Sequence, residues 1–151
     1  MTLDIDEVAV EEKYRFNDDV IVYVLDGDPT PLARARIGRG RCWDSQKKTK
    51  LVHGITLSAQ HGQRPMYSGP LLMTMTFYCP IPPSRERKIK PGYPHAVKPD
   101  LDNFIKYICD VAQDILFEND SRVAQITCKK VYSRKPRTEF TIKVLEQYEK
   151  I

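Results

Sequence analysis

Long hydrophobic runs are missing from this chain: nowhere do the about 20 consecutive apolar residues of a membrane-spanning helix occur. The first residues are acidic and contain no apolar stretch of the kind that marks a secretion signal, so a cytoplasmic location is expected. Cysteine is sparse and scattered. Cys42, Cys79, Cys109 and Cys128 form no CxxC pair and have no histidine at ligand spacing, which argues against a zinc framework and for four reduced thiols. Tryptophan occurs once, at Trp43, and is read as a core or interface anchor. With 41% hydrophobic and 29% charged residues, the 151-residue chain has the composition of one folded domain rather than of a disordered tail.

Charge is more informative in its distribution than in its sum. The formal net charge is +4, but seven of the 20 acids and only two of the 24 bases fall in residues 1–19. The remaining body is therefore strongly basic, as a chain that meets a polyanion would be. Residues 1–19 are read as an acidic arm, residues 20–145 as the folded domain, and residues 146–151 as a polar tail that frays.

Within the body, residues 20–25 are β-branched and aromatic and read as a strand, ended by the turn cluster Asp26-Gly27-Asp28-Pro29-Thr30-Pro31. Residues 32–41 set Arg34, Arg36, Arg39 and Arg41 among small residues and glycines, which lets the backbone approach a phosphate chain closely. A helix over roughly 46–63 follows, weakened by Gly54 and Thr56 and capped by Asp44 or Ser45. Residues 71–79 alternate, with Met73, Met75 and Phe77 on one face, as in a half-buried strand. Six prolines between 80 and 99 exclude regular structure there. That loop carries Arg85, Arg87, Lys88, Lys90, His95 and Lys98 against the single acid Glu86, and reads either as a substrate-binding flap or as a solvated connector.

Leu101, Phe104, Ile105, Ile108, Val111, Ala112, Ile115 and Leu116 then repeat at helical spacing, giving an amphipathic helix over about 100–117. Two more alternating segments, 121–132 and 138–145, are joined by the basic turn Ser133–Arg137 and read as an antiparallel hairpin. The expected fold is α+β: a mixed or antiparallel sheet of about four strands packed against one main helix.

The chemistry concentrates at Lys98-Pro99-Asp100-Leu101-Asp102-Asn103, where two carboxylates flank an apolar residue at a helix start. An ordinary reading exists: Asp100 as N-cap, Asp102 favoured by the helix dipole, and Asp102 with Lys106 as an i,i+4 pair. A third acid, Asp120, follows the helix and reaches the pair if the next strand runs back antiparallel to it. Three convergent carboxylates suit Mg²⁺, with Mn²⁺ able to substitute, and Lys106 would neutralise charge developing on a phosphate. Asp110 and Asp114 are expected to support the site or to be solvated.

At these residues the chain resembles the RusA-type Holliday junction resolvases, the crossover junction endodeoxyribonucleases. The resemblance lies in KPDLDN at 98–103, Lys106, Asp110 and the turn at 118–123. It extends to Gly27-Asp28-Pro29-Thr30-Pro31 with Arg34-Ala35-Arg36 upstream and Lys130-Val131-Tyr132 downstream, and covers about 20–145. It implies a homodimeric, Mg²⁺-dependent nuclease that cuts four-way DNA junctions in recombination and repair. Asp100, Asp102 and Asp120 would be the catalytic and metal-binding acids and Lys106 would bind or catalyse. Arg34, Arg36, Arg41, Lys88, Lys90, Lys98, Lys106 and Lys130 are the expected DNA contacts. One departure is visible: the family's turn often has two adjacent aspartates, and here the first position is Asn119. Two other readings stay open: a non-catalytic protein that binds DNA structure, with the acids only capping a helix, and a metal-dependent nuclease for flaps or forks.

Overall fold

The computed structural model describes residues 20–34 and 36–145, and only the backbone of Arg36. The expected acidic arm and polar tail lie outside the described residues. Strands β1 (Tyr23–Asp26), β4 (Leu71–Pro80), β5 (Val123–Ser133) and β6 (Arg137–Val144) form one mixed sheet. Strands β2 (Arg36–Gly38) and β3 (Arg41–Trp43) form a separate two-stranded ribbon, followed by helix α1 (Lys47–His61). Helix α2 (Leu101–Ala112) lies between β4 and β5 in the chain. The α+β class, the single domain and the four-stranded sheet agree with the sequence reading.

The sheet order is β1-β6-β4-β5, with β4 antiparallel to β6 and parallel to β5. The expected β5–β6 hairpin is therefore wrong: β4 lies between the two segments. Local alternation around a short basic turn suggested direct pairing, but β4 is the most apolar strand and takes the centre. Its Leu71, Met73, Met75, Phe77 and Cys79 are all buried on one face. Pro80 ends β4, and the connection 134–136 crosses from β5 to β6 past that end. The β4–α2–β5 unit is thus a parallel crossover, which needs a long connection and usually spends it on a helix.

One sheet face carries the core. Met73, Met75 and Phe77 stand in register with Ile142, Phe140 and Thr138 of β6, and Phe140 pairs with Tyr23 of β1. From α2, Phe104, Tyr107, Ile108, Val111 and Ala112 are buried, and Phe104 stacks on Phe77 with ring centroids 5.1 Å apart. Gly54, which weakened the helix expectation, lies inside α1: a Cβ there would sit 2.9 Å from Ile115 Cδ1, so the missing side chain lets the residues after α2 pack close.

Helix α2 stops at Ala112, short of the expected 117. Gln113 is extended and Asp114 has φ 66, a left-handed conformation that Asp tolerates better than most residues. Leu116 and Phe117 are nonetheless fully buried, so their apolar character continued the helical pattern without continuing the helix. The proline-rich loop is docked. Gly92 N–H donates to Tyr132 O (2.7 Å), Tyr132 N–H to Tyr93 O (2.9 Å) and His95 N–H to Lys130 O (3.0 Å), which adds a short antiparallel piece to the outer edge of β5.

Candidate active site

The parallel crossover places α2 over the sheet between the loop that precedes it and the turn that leads into β5. Asp100 occupies the N-cap position of α2 with extended backbone (φ −69, ψ 143), and its carbonyl accepts from Asn103 and Phe104 N–H. Its carboxylate makes no capping bond, although a capping Asp would. The ordinary reading of Asp100 therefore fails at the one contact that defines it. Asp102 and Lys106 stand one turn apart on the exposed side of α2, with Lys106 Nζ 3.6 Å from Asp102 Oδ2.

Lys106 also lines a cleft of about 300 Å³ with Asp110 and Asp120. Its apolar walls include Leu32, Ile105, Val123 and Ile126, so α2, the turn before β5 and β5 itself all contribute. Asp120 begins a 3-10 turn, Asp120–Arg122, that Asn119 caps by accepting from Ser121 N–H at 2.9 Å. Asn119, the departure noted in the sequence, thus has a structural task in shaping the turn. Cys109 lies in the same cleft. Burial first, then the nearby charges of Asp120 and Asp110, push its thiol up to about 11. Two carboxylates from separate segments therefore act on one point, and the thiol there stays protonated at neutral pH.

The structure unites Asp120, Lys106 and Asp110 in the cleft and brings Asp102 to Lys106. Among the described residues no three or more Asp, Glu, His or Cys side chains are grouped so that they could hold a metal ion, Asp100, Asp102 and Asp120 included. By type alone, Asp100, Asp102 and Asp120 each offer exposed carboxylate oxygens, the ligand that a hard ion such as Mg²⁺ takes while retaining several waters.

Sequence reasoning missed Lys50. Its ammonium bridges Asp110 (2.8 Å) and Asp44 (2.7 Å), linking α1, the segment after β3 and α2. Burial works against its charge, but the hydrogen bonds to the two acids outweigh this and raise its pKa, while the same contact with Lys50 lowers that of Asp44. The spacing Asp102, Lys106, Asp110 along one helical face was the available signal for Asp110. Lys50 carried none, because its partners are distant in sequence. Gln46, also unforeseen, clamps the arginine segment: its side chain accepts from Ala33 N–H (2.9 Å) and donates to Pro31 O (2.8 Å).

The expected DNA contacts are spread over three places. Arg34 and Arg41 are exposed at the β2–β3 ribbon, to which Arg36 contributes its backbone. Lys88 and Lys90 are exposed in the proline-rich loop, where Lys90 lines a hollow with Glu86, Arg87 and Arg134. Lys98 is exposed just before α2. Lys130 is engaged internally: its ammonium donates to Val97 O and Pro99 O, both at 2.6 Å, and braces the backbone leading into Asp100.

Comparison with known proteins points the same way. The family model described as endodeoxyribonuclease RusA matches residues 26–143. An uncharacterized protein of Bacillus subtilis (strain 168), YqaN, is 28% identical over 137 residues, which cover 83% of this chain and 96% of the relative. Among the described residues no helix is long and apolar enough to cross a membrane.

Proposed function

Because this chain belongs to the RusA endodeoxyribonuclease family, we propose that it is a Mg²⁺-dependent nuclease that resolves four-way DNA junctions in recombination and repair. It works in the cytoplasm as a homodimer, since paired cuts across a two-fold-like junction require two equivalent sites. The single observation that carries this reading is the family match over residues 26–143, and Lys106 lining one cleft with Asp120 supports it.

Asp100, Asp102 and Asp120 would hold the ion. When bound, Mg²⁺ polarises a phosphoryl oxygen and lowers the pKa of water. The chain's own residues do the rest. Lys106 offsets negative charge as it grows on the scissile phosphate, and its pairing with Asp102 holds it in place before DNA arrives. Lys130 fixes the carbonyls just before Asp100 and so sets where that acid stands. Asp110, held by Lys50, keeps one wall of the cleft polar beside the apolar Ile105 and Val123. Arg34, Arg36, Arg41, Lys88, Lys90 and Lys98 contact phosphates and give the complex its register and its salt sensitivity.

The test is incubation with synthetic four-way junction DNA and Mg²⁺ at low salt, alongside flaps and forks. Paired, symmetric nicks in the junction support the proposal. Cutting confined to flaps or forks reassigns the substrate. Binding without cutting by a folded dimer leaves a DNA-structure-binding protein.

A further inference from the structure

The β2–β3 ribbon has a role that phosphate contact alone does not explain. Its turn residues Arg39 and Gly40 both have positive φ (50 and 73), the backbone signature of a type I′ turn, the two-residue connection that best matches strand twist. Trp43 lies across one face of the ribbon, where a Cβ on Gly38 would meet its indole carbons at 3.1 and 3.3 Å. Side chains of paired residues share a face, so Gly38, Arg41 and Trp43 lie on one side and Ile37 with Cys42 on the other. Ile37 is 83% exposed, the most exposed large apolar side chain among the described residues. An apolar group is thus presented to solvent near the turn of a tight ribbon, with Arg39 exposed in the turn, Arg41 exposed on the opposite face and Arg34 at its base.

The base of the ribbon is tied to the body. Gln46 clamps the segment that leads into it, and Leu32 N–H donates to Asn103 O of α2 at 3.0 Å. On the exit side, Asp44 is held by Lys50, which also holds Asp110 of α2. A fixed base, an arginine in the turn and an exposed apolar side chain on one face of the strand beside it are the parts of a side-chain wedge of the kind that unstacks a base step.

We infer that the β2–β3 ribbon is a DNA wedge: its arginines hold backbone phosphates while Ile37 enters the base stack at the branch point. The inference rests on the junction-nuclease reading above and adds the element that opens the junction. Its charge selects the occupant. Self-association through this end of the ribbon would bring Arg39 against its own copy, whereas DNA supplies the opposite charge.

The test uses the full chain with Asp102→Asn, so that DNA is bound but not cut, and a four-way junction carrying 2-aminopurine at the branch. Binding raises the fluorescence as the base unstacks. Adding Ile37→Ser leaves affinity within about threefold but removes most of that rise, because phosphate contacts supply most of the affinity. With Asp102 restored, Ile37→Ser cuts a fully paired junction roughly tenfold more slowly, and cuts a junction with unpaired branch-point bases at the rate of the unsubstituted protein, since the unstacking cost has already been met. Circular dichroism confirms folding. Unchanged fluorescence and rates overturn the wedge, as does equal slowing on both substrates. If Ile37→Ser instead converts a dimer to a monomer in light scattering, the Ile37 face is a protein contact. If the protein with native Ile37 fails to bind the junction at all, it is the junction reading that falls, and the wedge with it.

Discussion

Lys50 Nζ lies 2.8 Å from Asp110 Oδ2, and through that contact α1 is joined to the helix that carries Asp102 and Lys106. The same ammonium holds Asp44, just beyond β3, at 2.7 Å. One cation therefore registers the exit of the arginine ribbon against α2. Lys50→Ala is expected to lower the single-turnover cutting rate roughly tenfold, because small displacements of positioned groups are costly in rate. Lys50→Arg keeps the charge and should recover most of the loss. A loss of folding visible in denaturant melts, with no effect on the rate of the folded fraction, would make Lys50 purely structural.

Replacing the acids removes charge with little change in shape. Asp102→Asn and Asp120→Asn should each reduce cutting by at least about 10²-fold, on the scale of losing one strong electrostatic contact in a site. Junction affinity measured in gel shifts should hold or rise, since each change removes a negative charge from a DNA-facing surface. Lys106→Ala should reduce both cutting and affinity.

The basic residues are separable by salt dependence. Arg41→Ala, Lys88→Ala and Lys90→Ala should each weaken binding uniformly across DNA sequences and reduce the slope of log K against log salt by about 0.9. A residue whose replacement leaves the slope unchanged makes no phosphate contact.

Stability should fall on mild acidification. Burial lowers the pKa of His53, and burial together with nearby Lys130 lowers that of His95, both from an ordinary value of 6.5. In the window below 6.5 and above their folded values the unfolded chain binds more protons, so stability is full above this window and is lost as pH falls through it. His95 Nδ1 is also buried without a hydrogen-bond partner. His95→Phe should therefore flatten part of the decline in urea midpoints between about pH 7.5 and 5.5. An unchanged slope would remove His95 from this account.

Core and site can be told apart by one further change. Phe104 is 1% exposed and stacks on Phe77, so Phe104→Ala should cost roughly 3–5 kcal/mol in denaturant unfolding. Because this residue sits on the buried side of α2, any activity loss should track the unfolded fraction.

What could be read from the sequence follows the range of the forces involved. Met73, Met75 and Phe77 announced β4 because alternation is local, and the start of α2 was legible from Asp100, Leu101 and Asp102 for the same reason. The order of the strands was not, because the neighbours of β4 are set by which strand is most fully buried, a property of the whole sheet. The far end of α2 misled because burial of Leu116 and Phe117 persists through a turn that breaks the helix. At the site, the acids and Lys106 stood out by type and spacing. Lys50 and Gln46 act on partners brought close only by the fold, and the docking of Tyr93 and His95 on β5 is likewise a backbone match that no side-chain pattern records.

The position of β6 has a consequence for the nascent chain. β6, the last strand in sequence among the described residues, is interior, joining β1 on one side to β4 on the other. A chain interrupted before Arg137 holds Asp100, Asp102, Lys106 and Asp120 yet lacks the strand that unites the sheet beneath them. The ribosome thus finishes these four residues before it finishes the platform, and products truncated there should be inert on DNA.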